Sequence, residues 1–240
     1  AGVVIEKPMC ITTDEATEMI ELAKAKGLLL SVFHNRRFDG DYLALKELVA
    51  KGTIGRIFRV EMCMGNYGKP GAWWRSKKEI SGGIAYDWGA HYLDWLLDLM
   101  PGRVAELSGY IQQDLVWTDV TNVDHWEAFI RFDDGALATL ETSSIAAAGK
   151  PRWRVLGTKG AAVSGKDQFD VRTQIDGYWA NLAVPYHKSA HYKVYDSIAG
   201  HLWRGEPLAI TPEAARRVIG VIDWTERAVK AGKPLAFPFA

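Results

Sequence analysis

The chain has 240 residues, 48% apolar and 24% charged, the balance of an ordinary folded protein and not of a disordered or fibrous one. Lys plus Arg and Asp plus Glu each number 29, so no bulk field points to nucleic acid or to an anionic membrane. No apolar run reaches the ~18–20 residues of a membrane span, and no basic segment precedes an apolar leader.

The first elements read as a parallel strand–helix–strand unit. Gly2-Val3-Val4-Ile5 is a buried strand ended by Glu6-Lys7-Pro8, because Pro8 cannot donate to a sheet ladder. Lys7 is thereby left at the carboxyl end of the strand, the edge where open α/β sheets bind ligands. Thr12 or Thr13 can cap the following helix, with Glu15 or Glu18 in its first turn and Gly27 at its end. Residues 28–33 form the second strand, which runs out at His34-Asn35-Arg36-Arg37-Phe38.

A short helix over 42–51 and an alternating strand over 56–64 follow. The segment 65–71 holds three glycines but lacks the strand-to-helix setting and the Gly-Lys-Ser/Thr of a phosphate loop, so it reads as a plain loop. The stretch 81–100 then opens on Ser81-Gly82-Gly83 and reads as a helix starting near the glycines. Asp87 and His91 lie four apart within it, which sets a carboxylate and an imidazole side by side on one helical face. Asp94 and Asp98 extend that polar stripe beside Trp88, Tyr92, Trp95 and Leu99. Gly89 inside a helix costs ~1 kcal/mol relative to Ala, which suggests that backbone or ligand comes close there. On spacing alone the Asp87/His91 pair is either an ordinary satisfied surface pair or part of a site.

From residue 104 the pattern turns to strands: 104–111, 122–132, 136–144, 153–157, 161–164, 168–175 and 178–184, with Asp133-Asp134-Gly135 as a hairpin turn. A helix over 192–204 and another after the Thr211-Pro212 cap, running to Ala231, close the chain. The fold class is therefore α+β: a large mixed, mostly antiparallel open sheet with helices on one face, preceded by a βαβ unit. Ten tryptophans suit a subunit interface or a ligand with apolar faces. Cys10 and Cys63 have no partner spacing and read as buried thiols of a reducing, cytoplasmic compartment. His187 and His191 are four apart, yet they sit in a loop without a His-Glu-x-x-His pattern, so no metal is expected. His125 beside Asp124 reads as a structural histidine.

Lys7 with the Asp87/His91 pair is the chemistry-bearing set. A lysine in limited solvent can hydrogen-bond a hydroxyl, an imidazole can take its proton, and a carboxylate can fix the imidazole's tautomer. Spacing alone does not bring residues 7 and 91 together.

Glu6-Lys7-Pro8, then Asn35-Arg36-Arg37-Phe38, then Gly82-Gly83-x3-Asp87-x-Gly89-x-His91-x2-Asp94, resemble in order the Gfo/Idh/MocA family of glucose-fructose oxidoreductase and inositol dehydrogenase. The resemblance continues through Phe132-Asp133-Asp134-Gly135-Ala136, Gly157-Thr158-Lys159-Gly160 and Ala231-Gly232-Lys233-Pro234. It implies an NAD(P)-dependent oxidoreductase acting on a sugar, polyol or related hydroxyl or carbonyl compound. Lys7 would sit near the nicotinamide and the reacting hydroxyl, His91 would transfer the proton, and Asp87 would position it. Glu6, Lys7, Pro8 and Arg36 would line the cofactor side, and Arg37, Trp74 and Arg75 the substrate. The Gly-rich strand-to-helix turn of such families has no counterpart here, so the expectation is a chain lacking most of a Rossmann domain. Residues 1–38 would be the end of a dinucleotide-binding domain, and 39–240 a substrate-binding and oligomerisation domain. NAD or NADP belongs on this reading to a full-length parent, with none held by this chain. The competing reading is a catalytically inactive binding or assembly module of the same fold. A homo-oligomer through the open sheet, no nucleic-acid or membrane partner, and substrate specificity set by loops 65–79 and 176–191 complete the expectations.

Overall fold

The computed structural model describes residues 2–71, 73 and 76–239. Two candidate substrate residues, Trp74 and Arg75, lie outside the described residues. Strand β1 (Gly2–Ile5), helix α1 (Thr13–Ala25) and strand β2 (Leu29–Val32) form the parallel βαβ unit, with Ile5 opposite Val32. Thr12 and Glu15 make a reciprocal capping box at the start of α1: the Thr12 side chain accepts from the Glu15 amide, and the Glu15 carboxylate accepts from the Thr12 amide.

Beyond it come α2 (Gly40–Ala50), β3 (Ile57–Gly65), α3 (Lys78–Ser81) and α4 (Ala90–Leu99). Strands β4 (Val104–Gln112), β5 (His125–Phe132), β6 (Leu137–Ser143), β7 (Trp153–Gly157), β8 (Gly160–Ser164), β9 (Gln168–Ile175) and β10 (Tyr178–Pro185) follow. The chain ends with α5 (Lys193–Arg204), α6 (Pro212–Ala231) and a two-residue β11 (Leu235–Ala236). The large sheet has the order β10-β9-β8-β7-β3-β6-β5-β4-β11. Only β3 and β6 pair in parallel within it, so the sheet is mixed and mostly antiparallel.

Alternation decides which face is core. Trp126, Ala128, Ile130 and Phe132 of β5 are buried under the helices, whereas Phe129 and Arg131 between them are exposed. Helix α6 lies on β4 and β5 and packs against α4. Tyr42, Trp95 and Trp153 stack with centroids 5.7–6.2 Å apart and tie α2, α4 and β7 into one core.

The strand Gly2–Ile5, expected to be buried, is largely exposed, with Val3 and Val4 on the surface. The sequence reading departs from this fold in three further places. The stretch 81–100 is not one helix: α3 ends at Gly82 (φ 76°), Gly83 follows at φ 110°, and a π-helical turn over Ala85–Gly89 leads into α4. Both glycines take left-handed backbone that other residues avoid, and a Cβ on Gly82 would lie 2.7 Å from the Tyr86 ring and 2.8 Å from Ile11 Cδ1. The wider turn rotates Asp87 away from the simple i,i+4 relation to His91. Gly89 is the second departure, since a Cβ there would meet Ala85 and Thr142 at an ordinary 3.6 Å and nothing demands a glycine. Third, Asn122–Asp124 is loop, and β5 begins at His125.

Candidate active site

Parallel pairing of β1 and β2 sends both strands out at one edge. The Phe33 amide donates to Ile5 O at 2.7 Å, so Glu6–Pro8 and His34–Arg37 leave the small sheet side by side. Lys7 lies there, beside the π-helical turn. Its ammonium donates to the Asp87 carbonyl at 2.8 Å and to Asp87 Oδ1 at 2.9 Å, joining residues 80 positions apart. Both side chains are mostly shielded, at 17% and 15% exposed.

His91, in the first turn of α4, is buried, and its Nδ1 has no hydrogen-bond partner among the described residues. Burial pushes its pKa down to about 2, with the nearby Lys7 ammonium pushing in the same direction. The imidazole is therefore neutral at any ordinary pH. Two rings hold it: Trp88, with centroids 5.7 Å apart, and His34, 6.3 Å apart and perpendicular. His34 is itself buried, and burial lowers its pKa against the opposing pull of Asp94.

The polar stripe of the sequence reading is divided. Asp94 turns from His91 toward Arg37, which donates to both its oxygens, at 3.0 Å through Nε and by a shorter contact through Nη2. Arg37 also donates to Asp98 at 3.3 Å and to the Ala209 carbonyl at 2.7 Å. Four of its five N–H groups are committed to this network, which ties the β2 edge to α4 and holds the guanidinium out of the cleft. Arg36 lies flat over Trp88, 4.4 Å from the ring centre, and bonds Asp39 at 3.1 Å. Glu6 is exposed, and Pro8, preceded by a cis peptide bond, is partly buried.

A cleft of about 420 Å³ opens on the other side of Asp87 and Trp88. Its remaining walls come from Asn66, Lys69 and Trp73 of the loop after β3, and from Asn122 before β5. Lys7 and His91 stand behind the Asp87–Trp88 wall. A second loop lies beside it, with Trp117 edge-on to Tyr67 at 5.6 Å and 61°, and Asp119 paired with Lys69. Loop 65–79 thus contributes to the cleft as the sequence suggested. Loop 176–191 does not: it packs against α2, with His187 on Glu47 at 2.7 Å and His191 on Asp39 at 2.5 Å. Those two imidazoles are aimed at different carboxylates and do not converge. Sequence reasoning missed Asn66, Lys69, Asn122 and His34. The first three are loop residues with no periodic signal, and His34 was legible only as a residue at a strand end.

An open α/β edge also suggests a nucleotide. A helix amino end can hold a phosphate, but that of α1 follows no Gly-rich turn and is occupied from within. The Thr12 and Ile11 amides donate to Glu15 at 2.9 and 3.1 Å, and the Thr13 amide and hydroxyl donate to Asp223 at 3.3 and 2.8 Å. Two carboxylates at that point repel a diphosphate. The described residues therefore fit the reacting end of a dinucleotide, near Lys7, and not its phosphates.

Comparison with known proteins gives three concordant results. A family model described as the GFO/IDH/MocA C-terminal domain matches residues 42–163. The scyllo-inositol 2-dehydrogenase (NADP(+)) of Bacillus subtilis is 34% identical over 178 residues, covering 73% of this chain and 46% of that protein. The myo-inositol 2-dehydrogenase of Thermotoga maritima is 31% identical, covering 65% of this chain and 46% of that one. An NAD-binding protein from Listeria innocua superposes with a TM-score of 0.88 over 98% of this chain and 74% of its own, at 23% identity, and so shares the fold. The chain spans about half the length of the curated relatives it matches.

Proposed function

This chain belongs to the Gfo/Idh/MocA family of oxidoreductases, and on that footing we propose that it forms the substrate side of an NAD(P)-dependent dehydrogenase acting on a polyol or sugar hydroxyl. The observation that carries the proposal is the Lys7–Asp87 contact beside the buried, neutral His91, at the wall of a cleft sized for a small ring. Residues 1–38 belong on this reading to a dinucleotide-binding unit and 39–240 to the substrate domain.

Two of the Lys7 ammonium protons are spent on Asp87, which leaves the third for a substrate oxygen. Asp87 thus aims Lys7. On this reading the reacting hydroxyl of a ring seated in the cleft passes the edge of the Asp87–Trp88 wall to reach Lys7, which holds it and stabilises negative charge as it develops on that oxygen. His91 would accept the hydroxyl proton only when the negative charge developing on that oxygen beside it raises the basicity that burial and Lys7 depress in the empty site. The nicotinamide, when bound, supplies hydride exchange with the carbinol carbon. Trp73, Trp88 and the Tyr67–Trp117 pair offer faces for the C–H side of a ring, and Asn66 and Asn122 offer hydrogen bonds to its hydroxyls.

Restoring an upstream dinucleotide-binding segment and following polyol-dependent NAD(P)H formation tests the assignment. Turnover that is lost on replacing Lys7 supports it. Failure to oxidise any of a panel of inositols and sugar alcohols, in a preparation that binds the cofactor, rejects it in favour of a binding module. We propose as a companion that the 240 residues alone do not hold the dinucleotide tightly, since no Gly-rich strand-to-helix turn occurs among them. Calorimetric titration showing micromolar NAD or NADP binding would overturn that part.

The face of the large sheet opposite the helices carries Phe129 and Leu137, both exposed, among charged neighbours such as the Glu61–Arg154 pair. We further propose that two copies associate through this face.

A further inference from the structure

We propose that His34 is a positioning residue for His91, holding the neutral imidazole in one orientation by edge-to-face packing. The inference rests on the proton-transfer role proposed for His91, but its test does not. A reactive imidazole is ordinarily oriented by a hydrogen bond at the nitrogen it does not use. In this site Nδ1 of His91 is buried without such a partner, and Asp87, the carboxylate expected to serve, receives the Lys7 ammonium instead. The ring is therefore oriented by what packs on it.

Among the described residues two aromatic rings do so. Trp88 lines the cleft on one side and carries Arg36 on its face, so it borders the space that substrate enters. His34 stands on the inner side and is 1% exposed. Its ring is 86° to that of His91, at a centroid distance within the favourable range for perpendicular aromatics. Its backbone is fixed at the end of β2, where its amide donates to Val32 O at 2.8 Å. Nδ1 of His34 lies 3.9 Å from Asp94 Oδ1, too far for a hydrogen bond, and Asp94 is clamped by Arg37. A rigid ring backed by a rigid ion pair is the firm wall, and Trp88 is the adaptable one.

The charged and titratable groups around His91 are Lys7, Arg36 and His34, all capable of positive charge, with Asp94 behind His34 already neutralised by Arg37. A protonated His34 would add a further positive charge beside Lys7, so the site works with His34 neutral and serving by its shape. Phenylalanine at position 34 preserves that shape, and a small residue does not.

The test is imidazole ¹⁵N–¹H correlation spectroscopy of the histidine-labelled chain between pH 5.5 and 8, with His91 assigned through His91→Asn. Wild type and His34→Phe should both show a single, sharp, neutral form of His91 that does not titrate. In His34→Ala the His91 signals should split or broaden through exchange as the ring gains further orientations. Unchanged, sharp His91 signals in His34→Ala overturn the proposal, as do His91 signals in His34→Phe that match those of His34→Ala. Should circular dichroism show His34→Ala unfolded, His34→Asn is read in its place by the same criteria. Confirmation here, with turnover unaffected by replacing His91 in the cofactor-loaded enzyme, would reject only the catalytic role of His91.

Discussion

Replacing Asp94 by Ala strands the Arg37 guanidinium in the interior, and the structure allows the cost to be worked out. The two side chains are 2% and 9% exposed, so neither charge has bulk water to fall back on. Breaking one side of such a pair costs ~3–5 kcal/mol. Arg37 keeps Asp98 at 3.3 Å and the Ala209 carbonyl at 2.7 Å, which places the expected loss at the low end, ~3 kcal/mol. For a chain of this size that corresponds to a melting point lower by ~6–12 °C. Removing both charges with well-packed apolar residues, as in Arg37→Met with Asp94→Leu, should return stability to within ~1 kcal/mol of the parent, because the desolvation of both ions is recovered. Urea unfolding of the parent, Arg37→Met, Asp94→Leu and the double variant gives the coupling directly. An Asp94→Ala loss below ~1 kcal/mol, or a double variant less stable than Asp94→Ala, would refute a buried ion network as the element fixing α4 against the β2 edge.

Three further outcomes follow from the same geometry. His34 and His91 have folded pKa values below their unfolded value near 6.5, so unfolding takes up protons as the pH falls through that value. Their contribution to stability is complete above pH ~6.5 and declines by up to ~1.4 kcal/mol per pH unit for each histidine below it. Urea midpoints at pH 7.5, 6 and 5 should therefore fall, and a His34→Phe variant should show a shallower decline. In the cofactor-loaded enzyme, Lys7→Ala should lower kcat by ~10²–10⁴, measured as NAD(P)H formation, with Lys7→Arg unable to restore the Asp87 contacts. Thr12→Ala removes the capping hydroxyl of α1 and should cost ~1 kcal/mol in urea unfolding, with no change in polyol binding.

How much was legible depends on the range of the interaction. Capping boxes, proline stops and two-residue periodicity act within a few residues. Pro212 at the head of α6, and β7 and β9 with their full limits, could accordingly be read directly, and Thr12 with Glu15 was one of the caps the spacing allowed for α1. The β5–β6 hairpin needed only the turn signal Asp133-Asp134-Gly135 between its strands. The break in 81–100 was less visible, because Gly82 ends α3 through a left-handed conformation that composition suggests but does not require.

The sequence by itself determined that a lysine ends the first strand, that an acid and an imidazole lie four apart, and that an α+β sheet follows. Only tertiary structure decided which of these groups meet. A strand edge and a π-helical turn 80 residues apart bring Lys7 to Asp87, and no local spacing encodes that distance. The same folding takes Asp94 from His91 and gives it to Arg37, and puts His34 in the place where a carboxylate was expected. Burial completes the change: it turns an imidazole of ordinary basicity into a neutral ring, and water exclusion is a property of the packed chain alone.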